Sequence, residues 1–268
     1  MRRSLVLLAL AALASLHDAP AQTSRASFAG VPVSPGATIR AHVPLSAQQQ
    51  SYVSEGGNAV PPHTVATFAA PPGFNPAKPW PVLVVLSTSD FKRQNQMDLT
   101  QFYREAAFAE GWALLAGDGP TPAPRDTAGW RAGHTLAAID ALQRSFPGAK
   151  NWPLAVAGYS GGAKRAGNIA PLLVLAGCRV TGIFLTGINE DRLSEAYRQF
   201  RPGSAFLRTP IYLSSGQADN IARLSDQQQV RVSMQRTGFA KVRHEVFPEG
   251  HVVKRAHVRE ALRWFRSG

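Results

Sequence analysis

From residue 81 onward the chain alternates between two kinds of segment, and that alternation restricts its fold more than any other feature. Predominantly apolar runs recur at residues 82–86, 112–116, 154–157, 180–185, 210–213 and 242–247. Runs this short and this apolar fit strands covered on both faces. Between them lie segments of helical period at 97–110, 127–146, 162–176, 191–200, 221–237 and 252–266. Strand following helix through the whole region predicts an α/β fold, a doubly wound and mostly parallel sheet with helices on both faces. No internal repeat is present. The stretch 191–206 is the one candidate for a lid, and it is too short for a cap domain.

Composition agrees with one large α/β domain. The 268 residues are 44% hydrophobic and 17% charged, which excludes a disordered or collagen-like chain. The single cysteine, Cys178, rules out an intrachain disulfide and any cysteine-based zinc site.

The N-terminus reads as a targeting segment. Met1-Arg2-Arg3-Ser4 precedes an apolar run at 5–16 and then Ala19-Pro20-Ala21, a basic region, an apolar region and a small-residue cleavage site. Residues 1–21 are therefore expected to be a signal peptide, with an uncleaved anchor as the alternative, and the apolar run falls short of the roughly 20 residues that span a bilayer. The expected product is secreted or periplasmic with no stable membrane span. Residues 22–62, rich in Ala, Ser, Gln and Pro, read as a leader with a peripheral strand, and 63–268 as the main domain.

The formal net charge is +12, and because residues 1–21 hold two arginines and one aspartate, about +11 remains after them. Lys and Arg are scattered, with no basic block and no aromatic interleaving, so nucleic acid is not the expected partner. A solvated basic face is the simpler reading.

The most informative string is Gly158-Tyr159-Ser160-Gly161-Gly162. A Gly-x-Ser-x-Gly pattern arises by chance in roughly one chain of this length in ten, so its context matters more than its letters. Here it follows a predicted buried strand and opens a predicted helix, where a sharp turn lifts a serine above the sheet edge and the glycines let helix and strand approach. The helix N-terminus adds positive dipole beside a developing oxyanion. A glycine-rich phosphate-binding turn is the competing interpretation.

A serine hydroxyl needs a base, and the base needs a carboxylate to hold its tautomer. Asp219 lies just past the run at 210–213, and His251 follows the run at 242–247. Both sit where open α/β sheets carry their sites. Glu190 and Asp191, after the run at 180–185, are the competing carboxylates, with Asp226 behind them inside a predicted helix.

With these motifs in this order, the chain resembles the α/β-hydrolase-fold serine hydrolases over about residues 63–268, in the manner of secreted bacterial esterases. The resemblance implies an eight-stranded sheet, an acyl-enzyme mechanism and carboxylic-ester hydrolysis, on small or polymeric esters and without a cofactor. It carries catalytic roles onto Ser160, Asp219 and His251, and an oxyanion hole onto the backbone amides of Gly161 and Ser89. Where relatives often have His-Gly, this chain has Leu86-Ser87-Thr88-Ser89-Asp90; a backbone donor needs no particular side chain.

Other readings stay open. A peptidase of the prolyl-oligopeptidase type shares the same catalytic core but usually adds a propeller, for which 22–62 is too short. A secreted binding protein on a hydrolase scaffold would keep the fold without the chemistry. His63, His134, His244 and His257 lack metal-ligand spacing, and His134 and His257 read as surface or helix-packing residues. Lys164 and Arg165 read as solvated helix charges or as an anion site, and Tyr159 and Trp130 as acyl-pocket or core aromatics.

Overall fold

The computed structural model describes residues 26–88, 93–122 and 125–267. The expected signal peptide at 1–21 and the expected oxyanion residue Ser89 lie outside the described residues, as does Asp90.

In chain order the elements are β1 (Ser27–Phe28), β2 (Val31–Pro32), β3 (Thr38–Val43), α1 (Ala47–Val53), β4 (Thr64–Ala69), β5 (Val82–Leu86), α2 (Asn95–Asp98), α3 (Arg104–Ala109), β6 (Ala113–Asp118) and α4 (Ala128–Ser145). Then follow β7 (Pro153–Tyr159), α5 (Gly161–Leu175), β8 (Arg179–Thr186), α6 (Arg192–Phe200), β9 (Ile211–Gly216), α7 (Leu224–Thr237), β10 (Val242–Phe247) and α8 (Arg255–Ser267). A π-turn at Leu99–Tyr103 joins α2 to α3. Eight strands form one sheet in the order β10-β9-β8-β7-β5-β6-β4-β3. β4 runs antiparallel to both β3 and β6, and the other pairings are parallel.

Side-chain alternation along each strand divides the core in two, because successive residues of a strand point to opposite faces. Val82, Val84 and Leu86 of β5 join one buried cluster, together with Leu142 of α4, Ile169 and Leu173 of α5 and Met234 of α7. Leu83 and Val85, the residues between, join the other, with Ala106 of α3 and Val258, Leu262 and Phe265 of α8. The same division separates Ile183 and Leu185 from Phe184, and Ile211 and Leu213 from Tyr212. Each such Leu or Ile is fully buried, so truncation to alanine costs about 2–5 kcal/mol.

The 22–62 segment, read as a leader with a peripheral strand, contributes β3 to the sheet's edge, paired residue for residue with β4 from Thr38↔Ala69 to Val43↔Thr64. Two details depart from the sequence reading. The run at 242–247 is not buried on both faces: β10 is the sheet's edge, and only Phe247 in it is buried. The 191–206 stretch is no lid, because α6 packs on α5 with Leu193 fully buried, so close that a Cβ on Gly167 would lie 2.9 Å from the Leu193 nitrogen. Among the described residues no helix is long and apolar enough to cross a membrane.

Candidate active site

The turn from β7 into α5 places Ser160 at the carboxyl edge of the sheet with φ 57° and ψ −124°. A non-glycine residue in such a region costs about 1–3 kcal/mol and persists only where its surroundings enforce it. The enforcement is visible. The Ser160 N–H donates to the Thr186 carbonyl at 2.9 Å, and the Ser160 carbonyl accepts from Ala163 at 3.0 Å as α5 begins. The flanking glycines are needed for contact: a Cβ on Gly158 would fall 2.0 Å from the Gly162 carbonyl oxygen, and one on Gly162 would fall 2.3 Å from that of Leu86.

Asp219 and His251 meet at the same edge. His251 Nδ1 and Asp219 Oδ2 are 2.7 Å apart, with the carboxylate side chain 1% exposed and the imidazole 12%. The other carboxylate oxygen accepts the N–H groups of Ile221 at 2.9 Å and Ala222 at 2.8 Å, an Asx turn that fixes the side chain's direction. The two loops are tied through backbone, Gln217 N–H to Phe247 O at 2.7 Å and Ala218 N–H to Glu249 O at 3.2 Å.

The rival carboxylates are occupied elsewhere. Glu190 pairs with Lys164 at 3.1 Å and Arg192 at 2.7 Å, and the Lys164 hydrogen bond holds its carboxyl below the usual range. Asp191 caps α6 by accepting from the Ser194 N–H at 3.0 Å, and Asp226 lies in the first turn of α7.

Tyr159 links serine and histidine. Its hydroxyl donates to the His251 carbonyl, its ring lies 4.8 Å from the imidazole, and Phe102 packs edge-on against it at 5.4 Å. Burial raises the Tyr159 phenol, and the Asp219 charge adds to this. Gly187, at φ 61°, leaves room for the imidazole, since a Cβ there would come within 2.8 Å of His251 Cε1. Sequence reading passed over Gly187 because a glycine after a strand looks like any turn. Ser160 Oγ makes no direct hydrogen bond to His251 in this structure; such contacts are often long in unliganded sites and tighten with substrate.

Thr88, just after β5, lies over the start of α5. A Cβ on Gly161 would meet Thr88 Oγ1 at 2.4 Å, which puts Thr88 directly beside the first N–H of that helix. Ser87 beside it belongs to a buried polar cluster that the sequence did not reveal. Arg131, 5% exposed, donates from Nη1 to Ser87 Oγ at 3.2 Å and to Asn95 Oδ1 at 3.0 Å, and from Nη2 to the Arg93 carbonyl at 3.1 Å. One guanidinium therefore holds both flanks of residues 89–92. Asp126 receives it bidentately, at 2.8 Å from Nε and from Nη2, and Asp118 lies 3.5 Å from Nη1. Asp118 also accepts the backbone N–H groups of Asn95 at 2.7 Å and Gln96 at 3.0 Å.

Burial works against the Arg131 cation, yet Asp126, Asp118 and Asp98 outweigh it and raise its pKa. Burial also raises the Asp118 carboxyl against the pull of Arg131.

Arg165 is not a solvated helix charge. Its side chain is 12% exposed, it donates to the Asp126 carbonyl, and one guanidinium nitrogen lies 3.5 Å from the Asp126 carboxylate. Lys164 is taken by Glu190. Trp130 is core, 5% exposed and edge-on to His134 at 4.6 Å. His134 is fully buried, with Nδ1 2.7 Å from Thr64 Oγ1; burial first, then Arg131 and His63, push its pKa down to about 3. His257 bonds Ser214 Oγ at 2.9 Å, and His244 bonds Ser215 Oγ at 2.7 Å. Among the described residues no three His, Cys, Asp or Glu side chains gather as a metal site.

No protein-family model and no curated protein sequence matches the chain. Solved structures do. The chain is similar to a bacterial heroin esterase with a TM-score of 0.57, over 86% of this chain and 84% of that one, at 18% identity. It is similar to a fluorophosphonate-binding serine hydrolase of Staphylococcus aureus with a TM-score of 0.57, over 87% and 99% of the two chains, at 16% identity. An esterase of Pyrococcus furiosus aligns with a TM-score of 0.55, over 86% and 91%, at 14% identity. Strand order, elbow turn and these likenesses together identify the architecture: the chain has the α/β-hydrolase fold.

Proposed function

We propose that the protein is a serine hydrolase cleaving carboxylic esters through an acyl-enzyme on Ser160. The observation that carries this reading is the buried Asp219–His251 pair, 2.7 Å apart, at the sheet edge where the strained Ser160 turn stands. Fold alone does not prove activity, but an aspartate that spends one oxygen on an Asx turn and the other on imidazole Nδ1 does what a general base requires. It holds Nδ1 protonated and leaves Nε2 free to accept a proton.

In the proposed cycle His251 takes the Ser160 proton as Oγ attacks the ester carbonyl, and the oxyanion forms against the Gly161 amide at the start of α5, with the Ser89 amide as second donor. His251 then protonates the leaving alcohol. Water, deprotonated by the same imidazole, attacks the acyl-enzyme and releases the acid. Asp219 stabilises the imidazolium in both halves and requires no proton of its own. The solved structures named as esterases support ester substrates for this fold. The proposal includes export, with residues 1–21 removed; the mass of the mature protein would place its first residue at Gln22.

The test is turnover of p-nitrophenyl esters of graded acyl length by wild type and by Ser160→Ala. Wild type should turn over at least one ester, and the alanine variant should fall by several orders of magnitude with its fold intact. Undiminished turnover by the variant would remove Ser160 from the mechanism.

A further inference from the structure

A cleft of about 520 Å³ opens at the amino edge of the sheet, the edge away from Ser160, among the residues that precede or begin β5, β6, β7, β8, β9 and β10. Four cations line it, Arg179, Arg208, Lys241 and Arg266, and its lining holds no Asp or Glu. The wall holds no Ser, His or Cys either.

The cations are exposed and uncompensated. Arg179, Arg208 and Lys241 form no ion pair among the described residues, whereas Arg93, Arg131, Arg165, Arg192, Arg243, Arg255, Arg259 and Arg263 each do. Arg266 donates to the Glu110 carbonyl, a contact that leaves its charge unneutralised. The wall is stiff, with Pro79, Pro81, Pro153 and Pro210 contributing to it. It also includes Trp112, a fully buried side chain whose indole N–H has no hydrogen-bond partner.

We propose that this cleft binds a small, multiply charged phosphate-type anion. Multivalency follows from exposure. A single solvated ion pair is worth about 0–1 kcal/mol, so a monovalent anion would gain little from any one of these side chains. An anion with several charges can engage more than one of them at once and gains the sum. Phosphoryl oxygens match both kinds of donor present, the forked guanidinium and the compact ammonium. A free polyphosphate and a phosphorylated headgroup share this chemistry. Occupancy leaves the Ser160 edge open, because the two sites lie at opposite ends of the strands, so the inference stands whether or not the ester reading holds.

Calorimetric titration of the full chain with inorganic tripolyphosphate tests it, at low salt and at physiological ionic strength, beside sedimentation with phosphatidic acid or phosphatidylcholine vesicles. The account expects saturable binding at one site, weakened by salt. An Arg208→Gln/Lys241→Gln variant should lose about tenfold or more in affinity. An Arg255→Gln/Arg259→Gln control removes as much charge from ion pairs elsewhere and should change affinity less than about twofold. Tripolyphosphate binding alone assigns the free anion; cosedimentation with phosphatidic acid that the double variant loses assigns the headgroup. Absence of saturable tripolyphosphate binding overturns the proposal, as does equal affinity in the double variant and wild type. Cosedimentation that the double variant retains overturns the headgroup source.

Discussion

At the carboxyl edge of the sheet two arginines, Arg131 and Arg165, divide the Asp126 carboxylate, and nearly every polar atom of Arg131 has a named partner. At the amino edge Arg179, Arg208 and Lys241 stand in an open cleft with no carboxylate in the wall. The same residue type serves two purposes because the solvent differs. A buried guanidinium is costly unless paired, so it comes with fixed partners. An exposed one keeps its hydration, constrains nothing and leaves its charge to whatever arrives. Paired charge belongs to the edge proposed for catalysis, and spare charge to the other.

The largest effect that would break or sharpen this contrast is at the base. Asp219→Asn keeps the shape but favours the wrong imidazole tautomer, a change worth about 10⁴ in kcat in the trypsin example. Steady-state ester kinetics should show Asp219→Asn down by orders of magnitude, while Glu190→Gln and Asp191→Asn stay within about tenfold of wild type. The reverse pattern would move the acid to the loop after β8.

Next comes the buried arginine. Arg131→Met leaves Asp118 and Asp126 short of a cation and frees both flanks of residues 89–92, and removing one partner of a buried pair costs about 3–5 kcal/mol. Arg208→Gln, at the other edge, should shift stability by no more than about 0.5 kcal/mol. Urea unfolding of the two variants makes the comparison; equal losses would erase it.

How much of this was legible depends on which physics wrote the signal. The runs at 82–86, 112–116, 154–157, 180–185 and 210–213 were readable because strands covered by helices on both faces need nearly all-apolar sequence. The run at 242–247 was misread as apolar: its sequence, VRHEVF, is half polar, and as an edge strand β10 keeps Arg243 and Glu245 half-buried and paired, at 2.8 Å. Ser160, Asp219 and His251 were legible from order and from their places after strands. The Arg131 cluster was not, because Ser87, Asn95, Asp118, Asp126 and Arg131 come from four separate segments and polar residues carry no periodic signature. The amino-edge cleft was invisible for a related reason: Arg179, Arg208, Lys241 and Arg266 lie far apart in the chain, and only the parallel sheet brings them to one end.

A smaller effect follows from His134. Its folded pKa, about 3, lies below the unfolded value near 6.5, so the native state keeps it neutral while the unfolded chain takes up a proton. Stability from this residue is complete above about pH 6.5 and is lost on acidification toward pH 3, at about 1.4 kcal/mol per pH unit. Urea midpoints of wild type should fall more steeply from pH 6.5 to 4.5 than those of His134→Asn, by the equivalent of one proton. Parallel profiles would contradict the burial argument.

The smallest effect is at the nucleophile's own backbone. Glycine adopts positive φ without strain, so Ser160→Gly should stabilise the fold by about 1 kcal/mol while Ser160→Ala should not. Equal melting temperatures for the two variants would show that the turn stores no strain.

The central claim is that Ser160 is an activated nucleophile. Reaction of the purified protein with a fluorophosphonate, read by intact mass and peptide mapping, tests it most directly. The account predicts one adduct per chain, on the peptide carrying Ser160, lost in Ser160→Ala and strongly slowed in His251→Ala. No adduct on folded wild type, or an adduct that persists in Ser160→Ala, would contradict it.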